Sequence, residues 1–222
     1  MSYITWAKQN KDDLVLKIVG DVKPPKNSGM PIAVFAAGIP GAGKTEFLDR
    51  LLVGVTNIVR IDMDEVVKLF DDYSPDKYYE FRGAANILVD EAVIYCRQHR
   101  LDFVLDGTFG SGRAINNIWS ALKRHKVTIF YVWKDPVVAW QHTKDRQLVT
   151  KRGVEKFGFI EACLKVPINL REVRKNFIDK ISIVLIQKDL NGNIFQMIRD
   201  THVIDGILET SYTKKDLERI LI

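Results

Sequence analysis

The chain has 222 residues, of which 46% are apolar and 27% are charged, and its net charge is +5 at pH 7. This composition is that of a globular protein and excludes disordered, collagen-like and fibrous chains. No apolar run reaches the roughly 18–20 residues of a membrane span, and charged residues at 8–13 interrupt the segment where a signal peptide would have its apolar core. Cys96 and Cys163 lie in apolar contexts and are predicted to be buried thiols. We expect one cytoplasmic domain, 1–222, with 1–30 as an N-terminal appendage and no membrane association.

Strand-like and helix-like segments alternate along the chain. One helix is expected within 1–22, before a linker at 23–30 that contains two prolines. Strands are predicted at 32–37, 57–61, 101–105, 127–133 and 181–187, and helices near 47–55, 76–99 and 114–124, from 136, at 168–177 and from 213. A turn signal at 191–193 predicts that 194–198 pairs back as a hairpin strand. The alternation predicts an α/β fold, a three-layer sandwich with a mainly parallel sheet of about five strands plus the C-terminal hairpin strand.

A phosphate-binding loop is predicted directly after the first strand. The segment matches the pattern G-x-x-x-x-G-K-[ST] in full, and its residues are Gly38, Ile39, Pro40, Gly41, Ala42, Gly43, Lys44 and Thr45. Glycines let successive N–H groups point at one anion, and the helix that opens at Lys44 adds its positive N-terminal end. Lys44 is expected to reach the β- and γ-phosphates, and Thr45 to hold Mg²⁺ through its hydroxyl. The sequence therefore predicts a phosphate site of the ATP or GTP type with Mg²⁺; ATP is favoured, although no short motif identifies the base.

Carboxylates follow two further strands of the predicted sheet. Asp106 ends the third strand, where a metal-binding acid is expected, although it can also cap the turn before Gly107. Asp62 and Asp64 close the second strand, and one of them can act as general base. The alternative is that they cap a following helix. Because the carboxyl ends of parallel strands meet at one edge of a sheet, these acids are expected near the phosphate loop.

A cationic segment at 142–152 follows the fourth strand and its helix. It contains Arg146 and Arg152, and few of its residues are apolar. In phosphoryl transferases such a segment supplies arginines that neutralise the transferring group, so we predict a lid with these two arginines as catalytic residues. The alternative is a solvated helix face.

These motifs together resemble the zeta-toxin family, the P-loop kinases of bacterial toxin–antitoxin systems. The resemblance covers roughly 30–200 and rests on four motifs in family order. They are the phosphate loop, the I-D-x-D element at 61–64, the L-D-G-T element at 105–108, and Arg152 followed by V-P-I-N-L at 166–170.

The resemblance implies a role for each matching residue. Asp64 takes the position of the catalytic base, and Arg146 and Arg152 match arginines around the γ-phosphate. The implied substrate and metal contacts are Asp62, Glu91, Asp106 and Thr108, with Thr45 and Asp106 at the metal. The implied reaction is ATP-dependent phosphorylation of a UDP-N-acetyl sugar such as UDP-N-acetylglucosamine, and an antitoxin protein is an implied partner.

Two other classes of function remain as alternatives. A polynucleotide or tRNA kinase would need a basic groove with exposed aromatic rings, but Trp119, Trp133 and Trp140 are expected in the core, so nucleic acid is disfavoured. A nucleotide-dependent switch is suggested by N-K-x-D at 10–13 and D-x-x-G at 189–192. Both motifs lie in the wrong order relative to the phosphate loop.

Overall fold

The computed structural model describes residues 2–26, 29–188, 194–199, 201–208 and 212–221. Short 3₁₀ turns at Val67–Leu69 and Pro75–Lys77 accompany the main elements. In chain order these are α1 (Tyr3–Gln9), α2 (Lys11–Val19), β1 (Ile32–Ala37), α3 (Lys44–Leu51), β2 (Val59–Asp62), α4 (Met63–Val66), α5 (Tyr78–Gln98), β3 (Phe103–Asp106), α6 (Arg113–Ala121), β4 (Lys126–Trp133), α7 (Pro136–Thr150), α8 (Lys156–Phe177), β5 (Ile181–Lys188), β6 (Ile194–Ile198), α9 (Thr201–Leu208) and α10 (Lys214–Ile220).

The strands form one sheet in the order β2-β3-β1-β4-β5-β6. The first five strands are parallel, and β6 pairs antiparallel with β5. This arrangement confirms the predicted fold and the C-terminal hairpin strand, while the turn predicted at 191–193 lies outside the described residues. Alternate side chains of β1 point to opposite faces of the sheet. Phe35 packs in one apolar core with α5 and α6, and Val34 packs in a second core with α3 and α7. Helices therefore cover both faces of the sheet.

The N-terminal segment differs from the single outer helix that the sequence predicted. It forms two helices, because Asn10 ends α1, with its backbone N–H and its side-chain amide both donating to the carbonyl of Trp6. Ala7, Leu14 and Val15 are buried in the same core as α5. The N-K-x-D motif at 10–13 is thus the start of α2 and contacts α5 rather than a nucleotide base.

Two other helix predictions also need correction. α7 continues to Thr150, so most of the segment predicted as a lid is the second half of a regular helix. α8 begins at Lys156, well before the predicted 168–177, and it contains Pro167. A proline normally indicates the start of a helix rather than its interior, because it lacks the N–H that the preceding turn needs.

Trp119 was expected in the core, but it is 53% exposed on α6. Trp140 packs against Phe159, and Trp133 packs partly buried against the main core. Both cysteines are buried free thiols, as predicted. Among the helices that the structure describes, none is long and apolar enough to cross a membrane.

Candidate active site

The phosphate loop joins β1 to α3 at the carboxyl edge of the sheet, and three glycines give it its shape. Gly38, Gly41 and Gly43 have φ values of +147°, +76° and +86°. A Cβ at Gly38 would overlap the carbonyl oxygen of Val132, and one at Gly41 would overlap that of Ala139. The loop therefore lies against the end of β4 and the first turn of α7, and only glycine fits these two positions. A concave loop of this kind at a helix N-terminus suits a phosphate chain.

Lys44 lies inside this loop. Its ammonium donates a hydrogen bond to the carbonyl of Ile39 at 3.0 Å. The pKa of Lys44 falls from 10.5 to about 8, chiefly because the ammonium is buried; the charge of Asp106 opposes this shift, and the positive charge of Arg146 contributes to it. A partly desolvated cation without a full counter-charge favours an incoming anion, so this lysine can bind a phosphate.

A second group of polar residues lies where β2 and β3 end. Thr45 Oγ1 donates to Asp106 Oδ2 at 3.0 Å, and Arg60 approaches the same oxygen at 3.4 Å. Asp62 is the register partner of Asp106 on the neighbouring strand. Burial first, and the charge of Asp106 second, raise the pKa of Asp62 to about 6. A hydroxyl and two crowded carboxylates are oxygen ligands of the kind that Mg²⁺ takes, so Thr45 and Asp106 fit the predicted metal site.

The structure separates the roles of the two acids in the I-D-x-D element. Asp62 Oδ1 accepts the backbone N–H of Asp64 at 2.8 Å, and Asp62 is therefore the N-cap of α4. Asp64 lies in the first turn of that helix, and its carboxylate pairs with the guanidinium of Arg152. The helix-cap alternative thus holds for Asp62, while Asp64 keeps a side chain that is free of capping.

Arg152 is held on both sides. Its guanidinium carbon lies 3.9 Å from the ring centroid of Tyr78, and its side chain is only 18% exposed. Burial lowers the pKa of Arg152 to about 10, and the charge of Asp62 opposes this shift. Lys151 ends α7 with a left-handed conformation, and the hydroxyl of Tyr79 accepts the N–H of Glu155. These contacts fix the short connection between α7 and α8 over the acidic group.

The remaining predicted residues occupy three different places. Arg146 is exposed on α7, close enough to Lys44 for its charge to act on that lysine. Thr108 is exposed beside the phosphate loop, and its carbonyl accepts the N–H of Gly38 at 3.1 Å. Glu91 does not lie with the others. It pairs with Lys11 of α2 at 3.0 Å, roughly 20 Å along α5 from Tyr78 at 1.5 Å per residue.

Sequence reasoning missed several residues that shape the site. Lys188, at the end of β5, donates to the carbonyl of Gly43 at 2.7 Å and so braces the phosphate loop. Lys134, just after β4, is buried and lies 3.2 Å from Nδ1 of His142. Both lysines lie at the carboxyl ends of strands, at the edge of the sheet where ligands bind in folds of this type, and this position could have identified them from the sequence. Tyr78 and Arg60 offered no signal, since an aromatic at a helix start and a cation in a strand are common.

Comparisons with known proteins concern the family and the fold of the chain. The model of the family described as zeta toxin matches residues 17–201. A comparison with curated protein sequences found no significant match. One similar solved structure comes from the PezAT chromosomal toxin-antitoxin system of Streptococcus pneumoniae, with a TM-score of 0.68 and 15% identity over 100% of this chain and 95% of that chain.

Two further solved structures share the fold. A complex of AvrRxo1-ORF1 and AvrRxo1-ORF2 with ATP has a TM-score of 0.64 and 12% identity, covering 95% of this chain and 73% of that chain. A Pnkp1/Rnl/Hen1 RNA repair complex has a TM-score of 0.50 and 18% identity, covering 68% and 48%. At these identities each likeness concerns the fold.

Proposed function

Because the chain belongs to the zeta-toxin family, we propose that it is an ATP-dependent kinase that phosphorylates a hydroxyl group of a small molecule, with a UDP-N-acetyl sugar as substrate. The contact between Asp64 and Arg152 is the observation that carries this proposal. It brings a candidate base and a candidate γ-phosphate arginine to one point. UDP-N-acetylglucosamine is the first substrate to test.

In the proposed site the phosphate loop binds the nucleotide. The loop from Gly38 to Thr45 surrounds the phosphate chain with N–H donors, and Lys44 exchanges its bond to the Ile39 carbonyl for one to a phosphate oxygen. Thr45 and Asp106 would hold Mg²⁺, which supplies charge neutralisation for the phosphates when it is bound. The low pKa of Lys44 and the raised pKa of Asp62 support this, since both groups gain from opposite charge at the site.

Asp64 is proposed as the general base. Its carboxylate is partly exposed, so an acceptor hydroxyl can reach it. The carboxylate accepts the proton as the hydroxyl oxygen attacks the γ-phosphorus. Arg152 neutralises Asp64 in the unliganded protein, and its planar guanidinium can share hydrogen bonds between that carboxylate and phosphoryl oxygens. Arg146 is exposed on α7, where its charge acts on Lys44, and it is proposed as a second arginine around the γ-phosphate.

The proposal extends to place and partner. Nucleotide sugars and ATP are both available in the cytoplasm, so the reaction is assigned there. An antitoxin protein is proposed as a partner, supported by family membership and by the toxin-antitoxin system from which one similar structure comes.

The test is a direct phosphorylation assay. The purified protein is incubated with ATP, Mg²⁺ and separate UDP-N-acetyl sugars, and mass spectrometry follows the gain of one phosphate. Asp64→Asn should lose the activity, and Asp179→Asn, an exposed acid in the turn before β5, should keep it. A wild-type protein that leaves all nucleotide sugars unchanged but phosphorylates a 5′-hydroxyl oligoribonucleotide would replace this proposal with a polynucleotide kinase.

A further inference from the structure

A small cavity lies between the C-terminal ends of α5 and α6, on the face of the sheet that both helices cover. An ion pair of Asp90 with Arg113 at 3.1 Å joins the two helices nearer the other end. The cavity has a volume of about 220 Å³, and its lining residues are Arg97, Gln98, Ser120, Lys123 and Arg124. Three of these five side chains are cations, and the other two offer neutral hydrogen-bond donors.

The three cations have no acidic partners in the part of the chain that the structure describes. Arg97 Nε is buried and lacks a hydrogen-bond acceptor. Burial lowers the pKa of Arg97, and the charge of Arg124 lowers it further. Leaving a buried N–H donor without an acceptor is costly, as is placing two guanidinium groups beside each other. An anion bound in the cavity would offset the repulsion between the guanidinium groups of Arg97 and Arg124.

The size of the cavity favours a small anion. Its volume lies below the roughly 300–1,000 Å³ of pockets for drug-sized ligands. Lys123 Nζ lies 3.6 Å from the ring centroid of Trp119 and covers one face of this exposed indole. The ring is therefore less available for stacking on a nucleic-acid base, and its contact holds Lys123 at the cavity.

We propose that this cavity is a second anion site, which binds a phosphate group through Arg97, Lys123 and Arg124, with Gln98 and Ser120 as further donors. It is separate from the phosphate loop. α5 has 21 residues and runs from Tyr78, beside Arg152, to Gln98, so the two sites lie roughly 30 Å apart along this helix. The site does not depend on the proposed kinase reaction.

The test is the thermal stability of the whole protein in inorganic phosphate, against sodium chloride of equal ionic strength. A non-hydrolysable ATP analogue with Mg²⁺ is present to occupy the phosphate loop. At a phosphate concentration about fivefold above its Kd, we expect Tm to rise by about 2–4 °C. Arg97→Gln and Arg124→Gln should lose this rise, while Arg171→Gln, an exposed cation on α8, should keep it.

Two results would overturn the proposal. One is a wild-type Tm that responds equally to phosphate and chloride. The other is a phosphate response that survives in both Arg97→Gln and Arg124→Gln, as expected if the cations only complement the negative ends of the helices. If phosphate does bind, competition with a ten-nucleotide oligoribonucleotide identifies its source. Displacement of phosphate indicates a nucleic-acid backbone, and no displacement indicates a small phosphate compound.

Discussion

Replacing Lys44 with methionine should raise the stability of the unliganded protein while abolishing phosphoryl transfer. Methionine keeps most of the length and apolar volume of the lysine but carries no charge. The pKa of Lys44 falls from 10.5 to about 8 in the folded protein, mainly because the ammonium is buried. At about 1.4 kcal/mol per pKa unit, this shift lowers the free energy of unfolding by up to roughly 3 kcal/mol below pH 8. The lost hydrogen bond to Ile39 costs about 1 kcal/mol. Lys44→Met should therefore raise the free energy of unfolding by about 1–2 kcal/mol.

The pH dependence of this gain follows from the direction of the shift. Since the folded pKa lies below the unfolded pKa, the destabilisation by Lys44 is fully present below pH 8. It disappears as pH rises from about 8 to 10.5, where the lysine becomes neutral in both states. The stability difference between Lys44→Met and wild type should therefore be constant from pH 6 to pH 7.5 and should narrow above pH 8.

The assay is thermal and urea unfolding across this pH range, with Lys175→Met as control because Lys175 is exposed on α8. For a protein of this size, the expected gain corresponds to a Tm rise of about 2–8 °C. ATP with Mg²⁺ should stabilise wild type and fail to stabilise Lys44→Met. A lower Tm for Lys44→Met at pH 7, or a stability difference that does not change up to pH 10, would refute the reasoning.

Four further predictions concern the same site. Asp64→Asn should lower kcat, measured by steady-state kinetics, by about 10²–10⁴-fold, while nucleotide affinity, measured by calorimetry, stays unchanged. An equal loss of kcat and of nucleotide affinity would contradict the assignment of Asp64 as the base. Arg152→Lys should lose about 10³–10⁵-fold in kcat, since lysine keeps the charge but lacks the planar fork. Near-wild-type activity of that variant would reject a transition-state role. Asp62→Asn keeps the cap of α4. Because the pKa of Asp62 is raised to about 6, the free energy of unfolding of wild type should fall by about 1–3 kcal/mol relative to this variant as pH rises from 4 to 6. Unfolding titrations in which the two proteins have parallel pH profiles would contradict this. Gly41→Ala should lower Tm and abolish the shift in Tm caused by ATP, because its φ of +76° and the carbonyl of Ala139 leave no room for a Cβ.

The α/β fold and the position of the nucleotide site could be predicted from the sequence. Both depend on local sequence patterns, which can be recognised without knowing which segments pack against each other. The loop from Gly38 to Thr45 follows an apolar strand and opens a helix, and the structure has both elements. Asp62 and Asp106 follow strands of the same type. Parallel strands end at one edge, so their order in the sheet was not needed to predict that Asp106 lies near Thr45, where it accepts the threonine hydroxyl, with Asp62 beside it on the neighbouring strand.

Other features were decided by the tertiary structure alone. Arg146 and Arg152 look equivalent in the sequence, but α7 ends at Thr150, which leaves Arg146 exposed and turns Arg152 onto Asp64 and Tyr78. The family resemblance implied that Glu91 contacts the substrate, yet the rotation of α5 against α2 directs it to Lys11. Such contacts join residues far apart in the chain, and they depend on where each helix stops and how it is rotated. The sequence determines which side chains can do chemistry, and packing decides which of them meet.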